Sequence, residues 1–456
     1  MKKFNELLKE INKVDFVSKA GVDSEKNLKP KHYLISICEE LLNVSARHEW
    51  SLTKYNDDIY YYNSSYWEVV SLEDIKSFLG SAAIKMGMNK FDAMHYQFLE
   101  TLYLQFLSMS KIDFKEKGKD SNQVCVNFNN GTLRISKSKQ ELTEFRSSDF
   151  IRYKLPYDYN GSASTPNLFL KYLDKVLPDE SAQKVLAEFT GYIFLKGKDL
   201  KLEKALLLYG TGANGKSVFF EILMALLGRE NVSNFSLSNL TGANGTYRAQ
   251  LDKKLLNYSS EINTKLSTDV FKQLVSGEPV EARLLYKNPF ILEDYAKFIF
   301  NCNELPKTVE QTDGFFRRFL IIPFDVKIPE YEQDKTLATK IIEKELSGVF
   351  NWAMDGLNRL LENGKLTECD SANECLKRFR VESDNIKLFL NDNNFVPSVT
   401  STMYLKDIYS SYKEYCKDNT YKACSNKVFS SRMRSAGYNL VRQKAGFQIY
   451  IEKIAT

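Results

Sequence analysis

The chain has 456 residues, a length that is too great for one compact core and predicts two to four domains. Its hydrophobic content of 43% and charged content of 27% are typical of an ordinary folded protein and exclude a disordered one. The net charge of +5 alone decides little. No run approaches the roughly 18 apolar residues of a membrane helix, and residues 1–6 lack a signal-peptide core, so we expect a cytoplasmic protein without membrane contacts.

The cysteines and histidines argue against a zinc site or a disulfide framework. The 7 cysteines are scattered without a C-x-x-C pair, and the 3 histidines lie far from one another, at positions 32, 48 and 95. This pattern favours buried or surface thiols in a reducing compartment.

The first 195 residues divide into two predicted regions. Residues 1–110 carry apolar residues mostly at three-to-four spacing, which predicts a mainly helical N-terminal domain with a small hairpin over 58–70. The region 111–195 is predicted to be α+β, with a hairpin over 124–135, a polar loop over 136–144 and helices over 168–195.

The centre of the chain, 196–345, changes character because short apolar runs alternate there with loops and helices. This alternation indicates a parallel α/β core with buried strands. The predicted strands are 205–209, 254–258, 296–300 and 319–324. A helical connector over 346–370 then leads to a domain over 371–456, whose helices and final hairpin predict a winged helix.

A glycine-rich loop with the pattern G-x-x-x-x-G-K-[ST] follows the first core strand. Its residues are Gly210, Thr211, Gly212, Ala213, Asn214, Gly215, Lys216 and Ser217. The glycines let backbone N–H groups point inward at phosphate oxygens, and the following helix adds its positive N-terminal end. We expect Lys216 to pair with the β- and γ-phosphates of ATP and Ser217 to bind Mg²⁺. The alternative is a fortuitous glycine turn.

Further polar residues lie beside the later core strands. Glu261 ends a strand and could activate water and help to bind the metal, or it could be a surface glutamate that caps the strand. No aspartate immediately precedes it, so one carboxylate serves both roles or another acid such as Asp252 contributes. Asn303 could bond the attacking water or the γ-phosphate, although an asparagine before Glu-Leu-Pro is often a turn former. Arg317 and Arg318 precede a strand and could reach a neighbouring subunit's γ-phosphate, or they could be two exposed basic residues.

In this order the motifs resemble the core of the superfamily 3 helicases, in the branch of phage, plasmid and poxvirus primase-helicases. The matching segments are 210–217, Ser-Ser-Glu-Ile-Asn at 259–263, Lys-Gln-Leu-Val-Ser-Gly-Glu-Pro-Val-Glu-Ala-Arg at 272–283, Asn-Glu-Leu-Pro at 303–306 and Phe-Phe-Arg-Arg-Phe-Leu-Ile-Ile-Pro-Phe at 315–324. The resemblance implies an AAA+-like P-loop ATPase core with Glu261 as the single Walker B carboxylate and Asn303 as the sensor. It assigns the arginine finger to Arg318, with Arg317 close behind. It also implies a homo-oligomeric ring, a hexamer, that moves 3′→5′ on single-stranded DNA.

Basic residues in two other places predict DNA contacts. The resembled family has a basic-tipped hairpin in the ring's pore; here 281–286 and 290–292 flank Lys287, which we expect to attract phosphates rather than read bases. The segment 421–456 is strongly basic, and its predicted DNA-binding residues are Lys427, Arg432, Arg434, Arg442 and Lys444. The alternatives are a solvated lysine in a turn and a solvated charged face.

Taken together, the sequence predicts an ATP-dependent, Mg²⁺-requiring DNA helicase that starts replication of a phage, plasmid or other mobile element on single- and double-stranded DNA. Residues 127–159 resemble the domain that precedes such cores, but the residues ahead are too few for a primase. We therefore expect a helicase-only form, with primers from a separate primase or polymerase.

Two other functions remain open at this point. One is an origin-binding initiator that uses ATP as an assembly switch without unwinding. The other is a small-molecule kinase, which predicts a monomer and leaves Arg317, Arg318 and the basic C-terminal segment unexplained.

Overall fold

The computed structural model describes residues 2–47, 52–55, 58–110, 123–136, 139–196, 200–260, 267–305, 312–419, 421, 423–444 and 446–454. The chain divides into two compact units, Met1–Asn160 and Gly161–Thr456. This division falls between the boundaries predicted at 110 and 195. Within the described ranges, no helix combines the length and the apolar character that a bilayer crossing requires.

The first unit contains six α-helices and two small sheets in its described part. The helices are α1 (Lys2–Glu10), α2 (Phe16–Ala20), α3 (Pro30–Arg47), α4 (Leu72–Lys85), α5 (Lys90–Met94) and α6 (Tyr96–Met109). The strands are β1 (Leu52–Tyr55), β2 (Asp58–Tyr62), β3 (Trp67–Val69), β4 (Val124–Phe128), β5 (Gly131–Ser136) and β6 (Lys139–Thr143).

Both predicted hairpins of this unit are confirmed, but the predicted loop over 136–144 is wrong. β2 pairs antiparallel with β3, and β4 pairs antiparallel with β5. The polar segment forms the edge strand β6, which pairs with β5 through Arg134 opposite Glu141. Almost all side chains of β6 are exposed, so backbone hydrogen bonds hold the strand and no apolar alternation marks it in the sequence.

The core of the first unit explains the three-to-four apolar spacing seen in its sequence. Leu7, Ile37, Leu41, Leu79 and Leu102 are buried together on the inner faces of α1, α3, α4 and α6. Burying one such side chain contributes about 1.5–3 kcal/mol relative to leaving it in water.

The second unit is larger and begins with two helices, α7 (Asn167–Val176) and α8 (Glu180–Tyr192). Next come β7 (Ala205–Tyr209), α9 (Lys216–Leu227), β8 (Val232–Ser233), α10 (Leu237–Leu240), α11 (Thr246–Ala249), β9 (Leu256–Ser259), α12 (Thr268–Val275), β10 (Val280–Ala282), β11 (Phe290–Leu292) and β12 (Lys297–Cys302). The remaining elements are α13 (Asp313–Phe316), β13 (Phe319–Pro323), α14 (Leu337–Asn363), α15 (Asp370–Glu382), α16 (Asn385–Asp392), β14 (Phe395–Tyr404), α17 (Leu405–Asp418), α18 (Asn426–Ser435), β15 (Leu440–Gln443) and β16 (Gly446–Lys453).

The predicted parallel α/β core is confirmed as a five-stranded sheet in the order β13-β7-β12-β9-β8. Every neighbouring pair in it is parallel. The strand β7, which lies between β13 and β12, is almost wholly buried, because helices cover both faces of a parallel sheet and leave no face for polar alternation. Its apolar run therefore identified the strand from sequence, whereas the two-residue edge strand β8 gave no signal.

Helices α8 and α14 approach each other closely enough that small residues are required between them. A Cβ added at Gly356 would lie 2.4 Å from the carbonyl carbon of Ala187. Beside this crossing the buried carboxylate of Glu188 accepts hydrogen bonds from Arg359 Nε at 2.7 Å and from Thr367 N at 2.7 Å. The helix α14 is continuous, so the boundary predicted at 345 lies inside it.

The C-terminal part of the second unit has its own apolar cluster. Helices α16, α17 and α18 pack on a three-stranded sheet in the order β14-β16-β15, around buried Phe389, Tyr412 and Phe429. The predicted final hairpin is confirmed as β15 and β16. Strand β14 was not predicted, since most of its side chains are exposed and its register shifts between Pro397 and Thr402.

One aspartate links the start of α8 to the start of α15. Asp179 is the N-cap of α8: its Oδ1 accepts hydrogen bonds from Ser181 N at 2.9 Å and Ser181 Oγ at 2.6 Å, and its Oδ2 accepts one from Ser371 Oγ at 2.6 Å. The hydrogen bonds from Ser181 and then Ser371 lower the pKa of the Asp179 carboxyl from 3.8 to about 2. The ionised form is therefore the one that stabilises the fold.

We predict that Asp179→Ala lowers the free energy of unfolding by about 1–2 kcal/mol at neutral pH, because α8 loses its N-cap. A folded-state pKa below the unfolded value stabilises the protein above that unfolded value, so the wild-type advantage should fade as the pH falls from 3.8 towards about 2. Urea unfolding of both proteins over this range tests it. Ser371→Ala, which keeps the cap, should show a smaller loss, and an equal loss would contradict the capping role.

Candidate nucleotide-binding site

The glycine-rich loop joins the carboxyl end of β7 to the start of α9, as the pattern predicted. Gly212, Ala213 and Gly215 have positive φ angles of 105°, 50° and 86°, so the loop curls through backbone conformations that favour glycine. A Cβ added at Gly210 would lie 2.2 Å from Asn214 Nδ2. The loop's shape therefore requires both glycines that the motif specifies, Gly210 and Gly215.

Neighbouring segments fix this loop through hydrogen bonds that no motif marks. Asn214 Nδ2 donates to Phe324 O at 2.9 Å, and Ile328 N donates to Ala213 O at 2.8 Å. The hydroxyl of Tyr172, on α7, donates to Gly215 O at 2.8 Å. Sequence reasoning missed these supporting contacts because their partners are far from the loop along the chain.

The Lys216 side chain lies inside the curve of the loop. Its residue is 6% exposed, and Nζ donates to Gly210 O at 2.6 Å and to Asn214 Oδ1 at 3.1 Å. Burial lowers the pKa of the Lys216 ammonium, and the nearby Cys302 acts in the opposite direction. Both oxygen partners are neutral, so an anionic phosphate would be a stronger partner for this ammonium.

The other predicted ligands surround the same edge of the sheet. Ser217 is exposed in the first turn of α9, and Thr211 is exposed in the loop. Asn303 is exposed directly after β12, and Gly210 N donates to Cys302 O at 3.1 Å across the adjacent strand ends. Asn303 is thus brought to the edge that carries the loop.

Of the two carboxylates predicted near the site, the structure describes Asp252 but not Glu261. Glu261 lies outside the described residues; β9 ends at Ser259, at the same carboxyl edge of the sheet. Asp252 lies before β9, where it forms an isolated bridge with Tyr295 ahead of β12. Asp252 is therefore at the opposite edge of the sheet from the loop.

The two adjacent arginines differ sharply in their surroundings. Arg318 is 8% exposed, and its guanidinium donates to Ser276 Oγ at 2.9 Å, to Lys272 O at 3.2 Å and to Gly314 O. The side chain of Arg317 is 61% exposed and forms an ion pair with Glu203 at 3.1 Å. Of the two, Arg317 is the one that a second molecule could contact without disrupting the core.

Both arginines lie at the far edge of the sheet from their own loop. They precede β13, whose first residue Phe319 pairs with Ala205 at the start of β7. The loop follows the other end of β7. The length of this strand of 5 residues, about 16 Å at ~3.3 Å per residue, therefore separates the loop from the arginines. Arg317 and Arg318 therefore lie too far from the glycine-rich loop of their own chain to act there.

The hairpin predicted around Lys287 is confirmed as the antiparallel pair β10 and β11. Lys287 is exposed at its tip. The base is fixed by the buried Arg248, which donates to Glu281 O at 2.9 Å, to Leu240 O at 3.0 Å and to Gly242 O at 2.6 Å. Sequence reasoning missed Arg248, because its role depends on carbonyl oxygens that only the fold brings together.

The basic residues of the C-terminal part are divided by the structure. Lys427, Arg434, Arg442 and Lys444 are exposed on α18 and on the β15–β16 hairpin. Arg432 is largely buried and forms an ion pair with Asp384 in the described structure. The charge of Arg432 is thus used within the unit, whereas the other four basic residues face solvent.

We predict that Arg318→Ala lowers the free energy of unfolding by about 2–4 kcal/mol, because Ser276 and two carbonyl oxygens lose a charged donor in a buried place. Arg317→Ala should cost at most about 1 kcal/mol, as is usual for an exposed ion pair. Thermal and urea unfolding of the two variants provides a matched comparison. Equal stability of both variants would contradict the structural role of Arg318.

Two families match separate segments of the chain. Residues 37–178 match the family described as D5 N terminal like. Residues 208–318 match a family of unknown function, DUF5906. The second segment extends from the end of β7, through the glycine-rich loop, to Arg318.

The similar curated proteins are viral. The chain is 26% identical over 348 residues to "Putative helicase L207/L206" of Acanthamoeba polyphaga mimivirus, an alignment that covers 67% of this chain and 34% of that protein. It is 22% identical over 339 residues to "Putative helicase 121R" of Invertebrate iridescent virus 3, with 65% and 35% covered. The chain therefore spans about a third of the length of these relatives.

The fold as a whole is similar to that of a solved structure, the apo C-terminal region of NrS-1. The TM-score is 0.50 at 13% identity, and the match covers 91% of this chain and 98% of that one. A second apo structure of the same region, its A form, gives 0.50 at 12% identity with the same coverage. In fold the chain resembles this region, and in sequence it resembles viral proteins that are named as helicases.

Proposed function

We propose that this chain is the ATP-hydrolysing motor of a ring-forming DNA helicase that acts in replication of a virus, plasmid or other mobile element. The observation that carries the proposal is the placement of Lys216 inside the glycine-rich loop, with Arg317 at the opposite edge of the same sheet. The helicase names of the viral relatives and the D5 N terminal like segment support it.

The residues present fit ATP with Mg²⁺. Among the residues that the structure describes, the hydrogen-bond partners of the buried Lys216 ammonium are neutral oxygens, and the loop's glycines permit the curled backbone that surrounds phosphates. When bound, ATP supplies the phosphoanhydride bond whose cleavage drives the motor. Ser217 would offer its hydroxyl oxygen to the metal, and Asn303 its amide to the attacking water or the γ-phosphate. Glu261, which follows β9 in the sequence, would accept the proton of that water.

A second copy of the chain would complete this site. Since Arg317 and the loop lie at opposite edges of one sheet, a head-to-tail arrangement could set the Arg317 of one copy beside the loop of the next. The geometry favours Arg317 over Arg318 for this role, because Arg318 would first have to leave its buried contacts with Ser276 and Lys272. A hexameric ring that moves 3′→5′ belongs to the same proposal.

DNA would be contacted at two places in the second unit. One is the hairpin that carries Lys287. The other is the C-terminal part, whose order of helix, strand, two helices and a hairpin suits a winged helix with exposed Lys427, Arg434, Arg442 and Lys444. These cations would attract the phosphates of the DNA backbone. A separate primase or polymerase would supply the primers.

Subunit mixing tests the shared site. We expect Lys216→Ala and Arg317→Ala proteins each to lose at least about 10³-fold in ATP turnover. Mixed in equal amounts, they should regain activity, because about one interface in four then joins an intact loop to an intact arginine. Steady-state ATPase assays with single-stranded DNA measure the recovery.

The control is a mixture of Lys216→Ala with the Lys216→Ala/Arg317→Ala double variant, which has no intact loop and should stay inactive. No recovery in the first mixture, under conditions where labelled subunits exchange, would argue against a trans role for Arg317. Strand displacement from a forked DNA is measured in parallel. DNA-stimulated turnover without displacement would identify the assembly-switch initiator instead.

A further inference from the structure

The tip of the β10–β11 hairpin exposes apolar surface as well as charge. Among the large hydrophobic residues that the structure describes, Tyr286 has the greatest exposure, and its whole side chain is open to solvent. Leu285 beside it is 69% exposed, and Ile291 on β11 is exposed on the outer face. An aromatic ring in this position is not stabilised by burial within the chain. Exposed apolar surface of this kind is typical of a site that binds another molecule.

The backbone turns this ring outward. Tyr286 has a φ of 61°, a left-handed conformation that an aromatic L-residue rarely adopts. The turn is closed by Lys287 N, which donates to Leu284 O at 3.1 Å, and by Arg283 Nε, which donates to Lys287 O at 3.0 Å. Strained conformations of this kind cluster where a ligand is recognised.

The tip stands on a fixed base. Val280, Ala282 and Leu292 of the two strands are buried in the core of the sheet region. Arg283 N donates to Gly245 O at 3.4 Å, and Arg248 binds the carbonyl oxygen of Glu281 at the base of the same hairpin. A ligand that contacts the tip therefore meets a backbone whose position is already set, which reduces the entropy lost on binding.

The charge of the tip selects the class of ligand. Between the two strands the sequence is Arg283-Leu284-Leu285-Tyr286-Lys287-Asn288-Pro289, which contains two cations and no carboxylate. A partner with regularly spaced anions and exposed flat apolar faces matches this combination. Single-stranded nucleic acid has both features, whereas a duplex keeps its base faces stacked inside.

We propose that Tyr286 stacks on a base of single-stranded nucleic acid while Arg283 and Lys287 attract the flanking phosphates. This inference rests on the proposed function, since it takes the hairpin as a nucleic-acid contact. It goes beyond the phosphate attraction expected of Lys287, because it adds a base-dependent contact that is not sequence-specific. Salt screens the attraction between cations and phosphates but not the stacking of a ring on a base. Such a contact would therefore keep a translocating motor bound to the strand at higher salt.

The test compares two single-stranded oligonucleotides of equal length and charge, one of thymidines and one with a central tract of abasic sites. Binding to the full-length protein is measured by fluorescence anisotropy, with a non-hydrolysable ATP analogue, over a series of salt concentrations. We expect the wild type to bind the abasic strand about tenfold or more weakly, as loss of a stacked base predicts.

Tyr286→Ala should lose a similar factor on the thymidine strand and should no longer distinguish the two strands. Tyr286→Phe is the matched control, because it keeps the ring and should keep the discrimination. Lys287→Ala should retain the discrimination and show a shallower dependence of affinity on salt. Circular dichroism and thermal midpoints verify folding, which these exposed positions should leave unchanged.

Equal affinity of the wild type for both strands, with a steep salt dependence, would overturn stacking and leave the proposed function intact. Failure of the wild type to bind either strand would contradict both. Binding of anionic phospholipid vesicles that depends on Tyr286, without discrimination between the strands, would assign the tip to a lipid surface and overturn the inference.

Discussion

The parallel pairing of β7 with a strand on each side is the constraint on which the rest of the second unit depends. Hydrogen bonds to β12 and β13 fix the register, so the carboxyl ends of these three strands meet at one edge of the sheet. That edge gathers the glycine-rich loop, Asn303 and the carbonyl of Phe324. The same register sends Arg317 and Glu203 to the other edge. The proposed site between two copies therefore depends on strand direction, which places the loop and Arg317 at opposite edges.

Four basic residues near the sheet are either buried or exposed, and the residues beside them in the sequence do not reveal which. Arg248 and Arg318 are buried and donate hydrogen bonds to carbonyl or hydroxyl oxygens. They therefore hold neighbouring segments of the second unit together through polar contacts rather than apolar packing. Arg317 and Lys287 project into solvent. A guanidinium can fill either role, because its five donors satisfy several oxygens at once and its charge is never lost.

What the sequence predicted and what it missed have the same physical cause. The strand β7, its loop and the hairpin around Lys287 were predictable because burial and turn chemistry impose local patterns there. Strands β6 and β14 were missed because their side chains are mostly exposed and backbone pairing leaves no periodicity. Which of two adjacent arginines is buried depends on Ser276, directly after α12, and the burial of Arg432 depends on Asp384. Such choices are made by tertiary contacts that one sequence does not display.

The continuity of α14 has a mechanical consequence. This helix of 27 residues packs against α9, which carries Lys216 in its first turn, and against α8, and it ends shortly before α15. At ~1.5 Å per residue it is a rod of about 40 Å, and it contains no proline at which to bend. A displacement of α9 would therefore be passed along α14 rather than absorbed at the contact between the two helices. Under the proposed function, α14 would transmit a movement at the glycine-rich loop towards the C-terminal part of the second unit.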